Sequence, residues 1–443
     1  MTAVMWFRRD LRLADNPALV EAAADGDVLP LFVIDPALWG RSGLPRRLYL
    51  GDALRALDAS IRDRSGGSGR SGGLQVVRGD PVRRVALAAR AVGASRVHVA
   101  ADFGPYGSAR DQQVEAALAE HGVELVRTGS SYAVAPGRVT KGDGTPYAVF
   151  TPFSRAWAEH GWRAPIDAPR AVSYLTVDDT TDIPDLERPA GLSLPDAGEA
   201  AARRRWDAFL AERIDAYRDD RDKPGVPGTS QMSVHLKWGE IHPRTMLADL
   251  ATRRSAGATT FRTELAWREF YADVLHHRPE TARDYLRPEY ARMEYDEPGE
   301  QLDLWRRGRT GFPIVDAGMR QLRETGWMHN RVRMIVASFL VKDLHVEWQH
   351  GARHFMQHLV DGDLASNQHG WQWTAGCGTD AAPYFRVFNP ITQGRKFDPD
   401  GRYVRRWVPE LADADDPHEP VDPIVDHAEA RREALARWER IRS

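Results

Sequence analysis

The chain has 443 residues, 42% of them hydrophobic and 9% aromatic, with 60 basic against 63 acidic side chains and a formal charge of −3. That length suits two or three domains, the apolar content sets aside a disordered chain, and the near-neutral balance excludes recognition of nucleic acid by bulk charge. Any DNA contact would need a local basic patch, because phosphate contacts dominate such affinity. The single Cys377 excludes an intrachain disulfide, and no apolar run approaches the ~20 residues of a membrane helix. Arg8, Arg9, Asp10 and Arg12 interrupt the N-terminus where a signal peptide would be apolar. A soluble cytoplasmic protein is expected.

The first 130 residues alternate strand and helix signals. Apolar runs at Val4–Phe7, Leu31–Ile34, Leu74–Val77, Val97–Ala100 and Val123–Val126 read as buried strands. Helical patterns lie between them at Pro17–Ala24, Arg46–Arg64, Val82–Val92 and Ala109–His121. This alternation predicts a parallel sheet with helices on both faces. Ser65–Gly73 (SGGSGRSGG) reads as a flexible surface loop. No G-x-G-x-x-G follows a strand, so a dinucleotide site is not expected here. From Ser131 to Ala200 the periodicity fades and proline, glycine and aspartate accumulate, as in a long connector, with a short helix after Pro152. From Ala201 helical patterns dominate, with breaks at Lys223–Gly228, Asp296–Gly299 and Asp361–Gly370. The division expected is therefore an α/β domain over 1–130, a linker over 131–200 and a mainly α domain over 201–443.

In the helical part, Gly228–Ser233 (GTSQMS) supplies three hydroxyls after a Pro/Gly loop and before a helical run. Such a motif is a helix cap or an anion site. Phe261–Tyr271 (FRTELAWREFY) places Glu264, Trp267, Arg268 and Tyr271 at i, i+3, i+4 and i+7, on one helix face. That face is either a salt-bridged surface or a recognition wall, where an indole stacks on a base and a carboxylate accepts from pyrimidine N–H groups. Gly326–Met334 (GWMHNRVRM) sets Asn330 and Met334 at i and i+4, with Arg331 and Arg333 between. These arginines form a solvated face, or pair with Asp361 and Asp363 if buried.

The most informative stretch is Asp361–Pro390, DGDLASNQHGWQWTAGCGTDAAPYFRVFNP. It lacks the i, i+3, i+4, i+7 spacing of a core helix. Asp361, Asp363, Asn367, Gln372, Thr379 and Asp380 sit among residues too apolar for a solvated loop. Buried polar groups need partners, and a polar ligand with many hydrogen-bonding edges would supply them. Trp371 and Trp373, at i and i+2, would point about 200° apart on a helix and face opposite sides of one wall.

Trp371-Gln372-Trp373, Gly378-Thr379-Asp380, Pro383, Arg386 and Phe388-Asn389-Pro390 together resemble the flavin-domain signature of the DNA photolyase and cryptochrome family. The resemblance covers nearly the whole chain and is closest to class I cyclobutane pyrimidine dimer (deoxyribodipyrimidine) photolyases. It implies an α/β N-terminal domain with a Rossmann-like parallel sheet and a large all-α, FAD-binding C-terminal domain. It further implies light-dependent repair of damaged DNA, in which reduced FAD passes an electron to a flipped-out dimer. By position, Thr229, Ser230, Gln231, Met232 and Ser233 match the site of the flavin pyrophosphate. Tyr217, Phe261, Glu264, Arg268, Asn330, Arg333, Asp361, Gly362, Asp363 and Asn367 match further flavin contacts, with Arg333 paired to one of the acids. Asn367 matches the residue facing the flavin N5, where a neutral amide tolerates the fully reduced cofactor and an aspartate favours a radical.

The family's lesion contacts fall on Glu264, Trp267, Asn330, Met334 and Trp373. Its DNA contacts add Arg221, Arg268, Tyr271, Arg331 and Gln393, and the local basic patch would be Arg221, Arg268 and Arg331 with Gln393. Trp371, Trp348 and Tyr295 match the family's electron-transfer chain, running from flavin to surface. The last is ordinarily tryptophan; an oxidised tyrosine must lose its phenolic proton, which makes that hop proton-coupled, with Trp305 as another surface exit. A second chromophore, folate or deazaflavin, belongs to the family as an antenna. Gly104, in Ala101–Asp111 (ADFGPYGSARD), stands where an acid often precedes the proline and leaves the two antennas undecided, with Asp35 and Arg46 as weak contacts by position.

A signalling cryptochrome is the alternative on the same scaffold. Little chain follows Pro390 to act as an output tail, and Glu264, Trp267, Trp373 and Met334 favour repair. The (6-4) photoproduct would call for a histidine-based pocket, for which only His329 stands near. A non-catalytic nucleotide-binding adaptor would not need separate segments that all match one active site. A monomer without a metal is expected.

Overall fold

The computed structural model describes residues 2–64, 72–380 and 385–442. Most of the expected loop Ser65–Gly73 and the signature's Pro383 lie outside these residues.

The apolar runs of the first part form strands Thr2–Phe7 (β1), Asp27–Ile34 (β2), Gln75–Arg78 (β3), Arg96–Ala101 (β4) and Glu124–Ser130 (β5). All pair in parallel, in the order β3-β2-β1-β4-β5. Parallel strands are covered on both faces and so read as continuous apolar runs. In β1, Ala3, Met5 and Phe7 enter one core cluster while Val4 and Trp6 enter the other. Helices Pro17–Asp25, Leu44–Arg64, Pro81–Ala91 and Pro105–Ala119 make the crossovers. Two of them begin with a proline behind a side-chain cap, Asn16 accepting from Leu19 N–H and Asp80 from Val82 N–H, the arrangement that suits a residue without its own N–H.

The strand order reverses between β1 and β4, where open α/β sheets form a crevice at the carboxyl ends of their strands. Here the helical half docks on that crevice. Arg9, just beyond β1, donates to the Asp363 carboxylate at 2.7 Å, and Leu11 N–H donates to the Trp238 carbonyl at 3.2 Å. Gly239 makes the approach possible: φ is +69°, and a Cβ there would stand 2.0 Å from the Arg9 carbonyl oxygen. Any other residue would push the two halves apart.

The connector is irregular apart from Phe150–His160, yet it is pinned to the sheet. Val28 N–H donates to Ser173 and Leu175 N–H to Val28, both at 2.9 Å. Helices run from Glu199–Glu212 to His427–Arg440 in the second half. The breaks at 223–228 and 296–299 are non-helical as expected. The expected break at Asp361–Gly370 is corrected: Leu364–Ala375 is a helix, capped by Asp363 accepting from Ser366 N–H. It escapes the amphipathic pattern because it is polar on two sides. Gln368 and Gln372 reach back to satisfy the carbonyls of Ala282, Thr281 and Asp284 at 2.7–3.2 Å, while Asn367 and Trp373 face a cavity. Among the described residues no helix is long and apolar enough to cross a membrane.

Candidate active site

Helices Ala256–His277, Asn330–Lys342 and Leu364–Ala375 converge with the 229–233 loop on one cavity of about 590 Å³. Such a volume suits a cofactor-sized ligand, for which roughly 300–1,000 Å³ is usual.

The helix Ala256–His277 forms the aromatic wall. Glu264, Trp267, Arg268 and Tyr271 all line the cavity, as their shared face requires. The Trp267 ring lies flat on Phe150 from the connector helix, 3.7 Å between centroids and 7° between planes, which leaves its other face for a ligand. Glu264 is half-buried; burial raises its carboxyl, and an ion pair with Arg221 opposes that. Arg268 turns inward instead of joining a surface patch. It donates to the Ser131 carbonyl at 3.0 Å and lies over the Tyr132 ring. Opposite, Trp373 is half-buried with Nε1 donating to the Asp380 carbonyl at 3.2 Å.

The polar wall lies deeper. Arg333 donates to the Met328 carbonyl at 2.8 Å and to Asp361 Oδ2 at 2.9 Å. The other oxygen, Asp361 Oδ1, is buried and has no partner among the described residues. A buried acceptor left unpaired costs about 1–3 kcal/mol, so this oxygen calls for a donor on whatever fills the cavity. Burial would raise the Asp363 carboxyl, yet Arg9, Lys237 and Arg268 hold it below the ordinary carboxylate range. Asn367 spends its amide N–H groups on the Ala352 carbonyl at 3.2 Å and on Gln368 Oε1 at 2.8 Å. Its carbonyl oxygen has no hydrogen-bond donor among the described residues and can accept from a ligand. The hydroxyl loop completes the lining, with Gln231 in the left-handed region at φ +54°, a conformation uncommon for a side-chain-bearing residue and frequent at ligand clamps.

The two tryptophans two positions apart separate as expected. Trp371 is 2% exposed and packs edge-on to Phe355 and Trp305, at 4.9 and 6.2 Å. A Cβ at Gly351 would lie 2.0 Å from its ring, so that position must stay a glycine. Trp348 is fully buried, and its ring meets Tyr285 edge-on at 6.1 Å. Tyr285 donates to Glu347 at 2.7 Å and is hydrogen-bonded to the half-buried Tyr295. Trp305, expected as a surface exit, is corrected: it is fully buried, with Nε1 donating to the Val336 carbonyl.

Tyr217, Arg221, Phe261, Asn330, Arg331, Met334 and Gly362 also line the cavity, whereas Gln393, Trp348 and Tyr295 do not. Arg331 is paired with Asp222 at 2.9 Å. His329 faces away from this cavity. Of the positions considered for an antenna, Asp35 accepts from the Tyr106 hydroxyl and Gly104 N–H donates to Asp102. Arg46 lies elsewhere, lowered to about 10 by burial with Asp361 opposing.

Sequence reasoning passed over Arg9, Phe150, Tyr285 and Lys237. Lys237 lines the cavity. Burial, then Arg9 and Arg46, lower its amine to about 7, with Asp363 and Asp102 opposing. Its place four residues after Ser233, on the same helix face, is a signal that could have found it. Arg9, 354 positions from its partner, offered none.

Two family models match the chain, DNA photolyase over residues 3–170 and the FAD binding domain of DNA photolyase over residues 261–440. A deoxyribodipyrimidine photo-lyase of Streptomyces griseus is 42% identical over 463 aligned residues, 99% of either chain. A bacterial class III photolyase from Agrobacterium tumefaciens is 35% identical and superposes with a TM-score of 0.90, covering 100% of this chain and 98% of that one. A Synechocystis cryptochrome reaches 0.89 at 26% identity, over 99% and 98%. The backbone is thus common to photolyases and a cryptochrome, and the higher identities fall on the photolyases. At such identity over its whole length, the chain belongs to the DNA photolyase family.

Proposed function

We propose that this protein is a deoxyribodipyrimidine photo-lyase that uses blue light to split cyclobutane pyrimidine dimers in DNA. The observation that carries the reading is the meeting, in one cavity, of a deep polar wall with free acceptors and an aromatic wall open at the mouth.

The polar wall fits a flavin. Asp361 Oδ1 and the Asn367 carbonyl oxygen are acceptors for ring N–H groups, Asn367 matching the position that faces N5. Arg333, Arg9 and Lys237 balance the two buried carboxylates and any negative charge brought by the cofactor. Thr229, Ser230 and Ser233 offer hydroxyls to the pyrophosphate. The helix that follows has only six residues, so its dipole adds little and the hydroxyls do the holding. Tyr217 and Phe261 close the apolar side. Bound there, reduced FAD would supply, on photoexcitation, the electron that opens the cyclobutane ring and would regain it afterwards, without net oxidation.

The chain does the rest by position. A dimer stacks and pairs poorly, so it leaves the duplex at low cost. Trp267 and Trp373 clasp its rings, Met334 packs on it, and Glu264 accepts from a pyrimidine N–H. Arg221 is now paired with Glu264 and Arg331 with Asp222; each exchanges that partner for DNA, with Asn330 and Tyr271 beside them. Trp371, Trp348 and Tyr295, with Tyr285 between the last two, serve light-driven reduction of oxidised flavin and not repair itself. The proposal includes the division at 130 and 200, and a monomer working in the cytoplasm.

The test is blue-light irradiation of flavin-reduced protein with dimer-bearing oligo(dT). Dimers should disappear in the light and persist in the dark; persistence in both would reject repair and leave the cryptochrome reading.

A further inference from the structure

A second cavity of about 630 Å³ lies on the far side of the hydroxyl loop. Thr229, Ser230, Gln231 and Trp327 line both cavities, so this loop is a partition. Helix Glu199–Glu212, the bend at 224–227 and helix Arg402–Trp407 wall the far side.

The charge there is one-sided. Arg204, Arg205, Arg213, Arg402 and Arg406 face the cavity against only Asp196 and Glu212. Arg213 reaches Glu212 at 3.7 Å and Arg402 reaches Asp400 at 3.4 Å. Arg204, Arg205 and Arg406 have no carboxylate within ion-pair distance among the described residues; Arg205 instead donates to Gln231 of the partition at 3.2 Å. In a chain of net charge −3, guanidiniums gathered without counter-charges focus the field on an anion.

A second observation is independent of that charge. His329 is 3% exposed and lines this cavity but not the flavin one. Its Nδ1 accepts from Arg331 N–H at 3.2 Å, which puts the ring proton on Nε2, and Nε2 has no acceptor among the described residues. Burial keeps the ring neutral, lowered to about 4, with the neighbouring arginines aiding and Asp222 opposing. Beside it, Gln321 Oε1 accepts from His329 N–H at 3.1 Å and from the Tyr403 hydroxyl at 2.7 Å. That leaves the Gln321 amide as another donor. Unpaired donors, guanidiniums and the half-buried Trp327 ring thus surround a volume of small-molecule size.

We propose that this cavity is a second ligand site that takes a small phosphate-bearing molecule of the nucleoside diphosphate kind. Arg204, Arg205 and Arg406 hold the phosphates, His329 Nε2–H and the Gln321 amide donate to the ligand's acceptors, and Trp327 carries its ring. Because the partition is shared, an occupant rests on the back of the loop that holds the flavin pyrophosphate.

The experiment is calorimetric titration of flavin-loaded protein with ADP, pyrophosphate and adenosine in turn, with the flavin spectrum followed throughout. ADP should bind at one site per chain. Arg204→Ala with Arg406→Ala should weaken it at least tenfold with flavin content unchanged, and Arg204→Glu alone should do the same. Trp267→Ala, in the lesion mouth, should leave it intact. ADP binding more tightly than pyrophosphate identifies a ring-bearing ligand; equal binding, lost in the same variants, supports the phosphate site with free polyphosphate as its source. The proposal is overturned by absence of saturable binding at millimolar ADP, or by binding lost in Trp267→Ala and kept in the arginine variants. It is also overturned if a single-stranded oligonucleotide competes at this site more tightly than ADP.

Discussion

The two ends of the candidate active-site cavity are built differently. The deep end is charged and locked by contacts between distant parts of the chain: Arg9 from the sheet holds Asp363, and Arg333 holds Asp361. The mouth is aromatic and half-open, and much of it comes from one helix face bearing Glu264, Trp267 and Tyr271. Burial decides the difference. A cofactor that stays bound can be met by fixed, desolvated charges, whereas a lesion that comes and goes needs flat surfaces and exchangeable ion pairs.

The sharpest way to break this contrast is Arg9→Ala. It leaves the Asp363 carboxylate buried without its partner. Removing one member of a fully buried pair costs about 3–5 kcal/mol; Arg9 is 28% exposed, so about 2–4 kcal/mol is expected here. Thermal unfolding of the apoprotein and flavin retention on gel filtration should both fall. An unchanged melting temperature would mean that the ion pair does not fasten the two halves.

Trp267→Ala acts on the mouth alone. Affinity for dimer-bearing DNA should drop by about 1–3 kcal/mol, the usual worth of a base stacked on an aromatic side chain. Loss of the Phe150 stack should cost about 0.5–1.5 kcal/mol of stability. Flavin content should not change. Release of flavin would show that the two ends are one unit after all.

The same contrast governs what could be read from sequence. The mouth was legible because the spacing Glu264, Trp267, Arg268, Tyr271 is local and helical, and the sheet because Ala3–Phe7 of β1 and Val28–Ile34 of β2 are unbroken apolar runs. The deep end was not. The Arg9–Asp363 contact has no local signature, and Leu364–Ala375 lacks an apolar period because its polar side chains serve the cavity on one side and backbone carbonyls on another. Trp305 looks like a surface residue on a short charged helix, EQLDLWRR, and only the tertiary packing of Phe355 and Trp371 encloses it.

Asn367→Asp sharpens the deep end without unfolding it. The native amide presents only an acceptor to the cavity, since both its N–H groups are taken. A carboxylate there must stay charged beside Asp361 and Asp363 or take up a proton, and a protonated one could donate. Either way the light-reduced flavin should hold a one-electron-reduced spectrum in place of a fully reduced one. A wild-type spectrum would argue against contact with N5.

Lys237 gives the smallest and most specific effect, and its sign follows from proton counting. In the unfolded chain a lysine keeps its proton to about 10.4, whereas burial beside Arg9 and Arg46 lowers the folded value to about 7. Between those limits the unfolded state binds more protons, so this group makes apoprotein stability rise with pH; below 7 both states are protonated and its contribution is flat. Lys237→Met should remove the rise, read as the slope of the chemical-denaturation midpoint between pH 7 and 10. Bound flavin, with its phosphates and a reduced ring, should raise the amine again, so the wild-type slope should shrink on loading while the Met variant's stays put. Equal slopes for wild-type and variant apoprotein would place the Lys237 amine outside the cavity, and the deep end would then balance its carboxylates with its arginines alone.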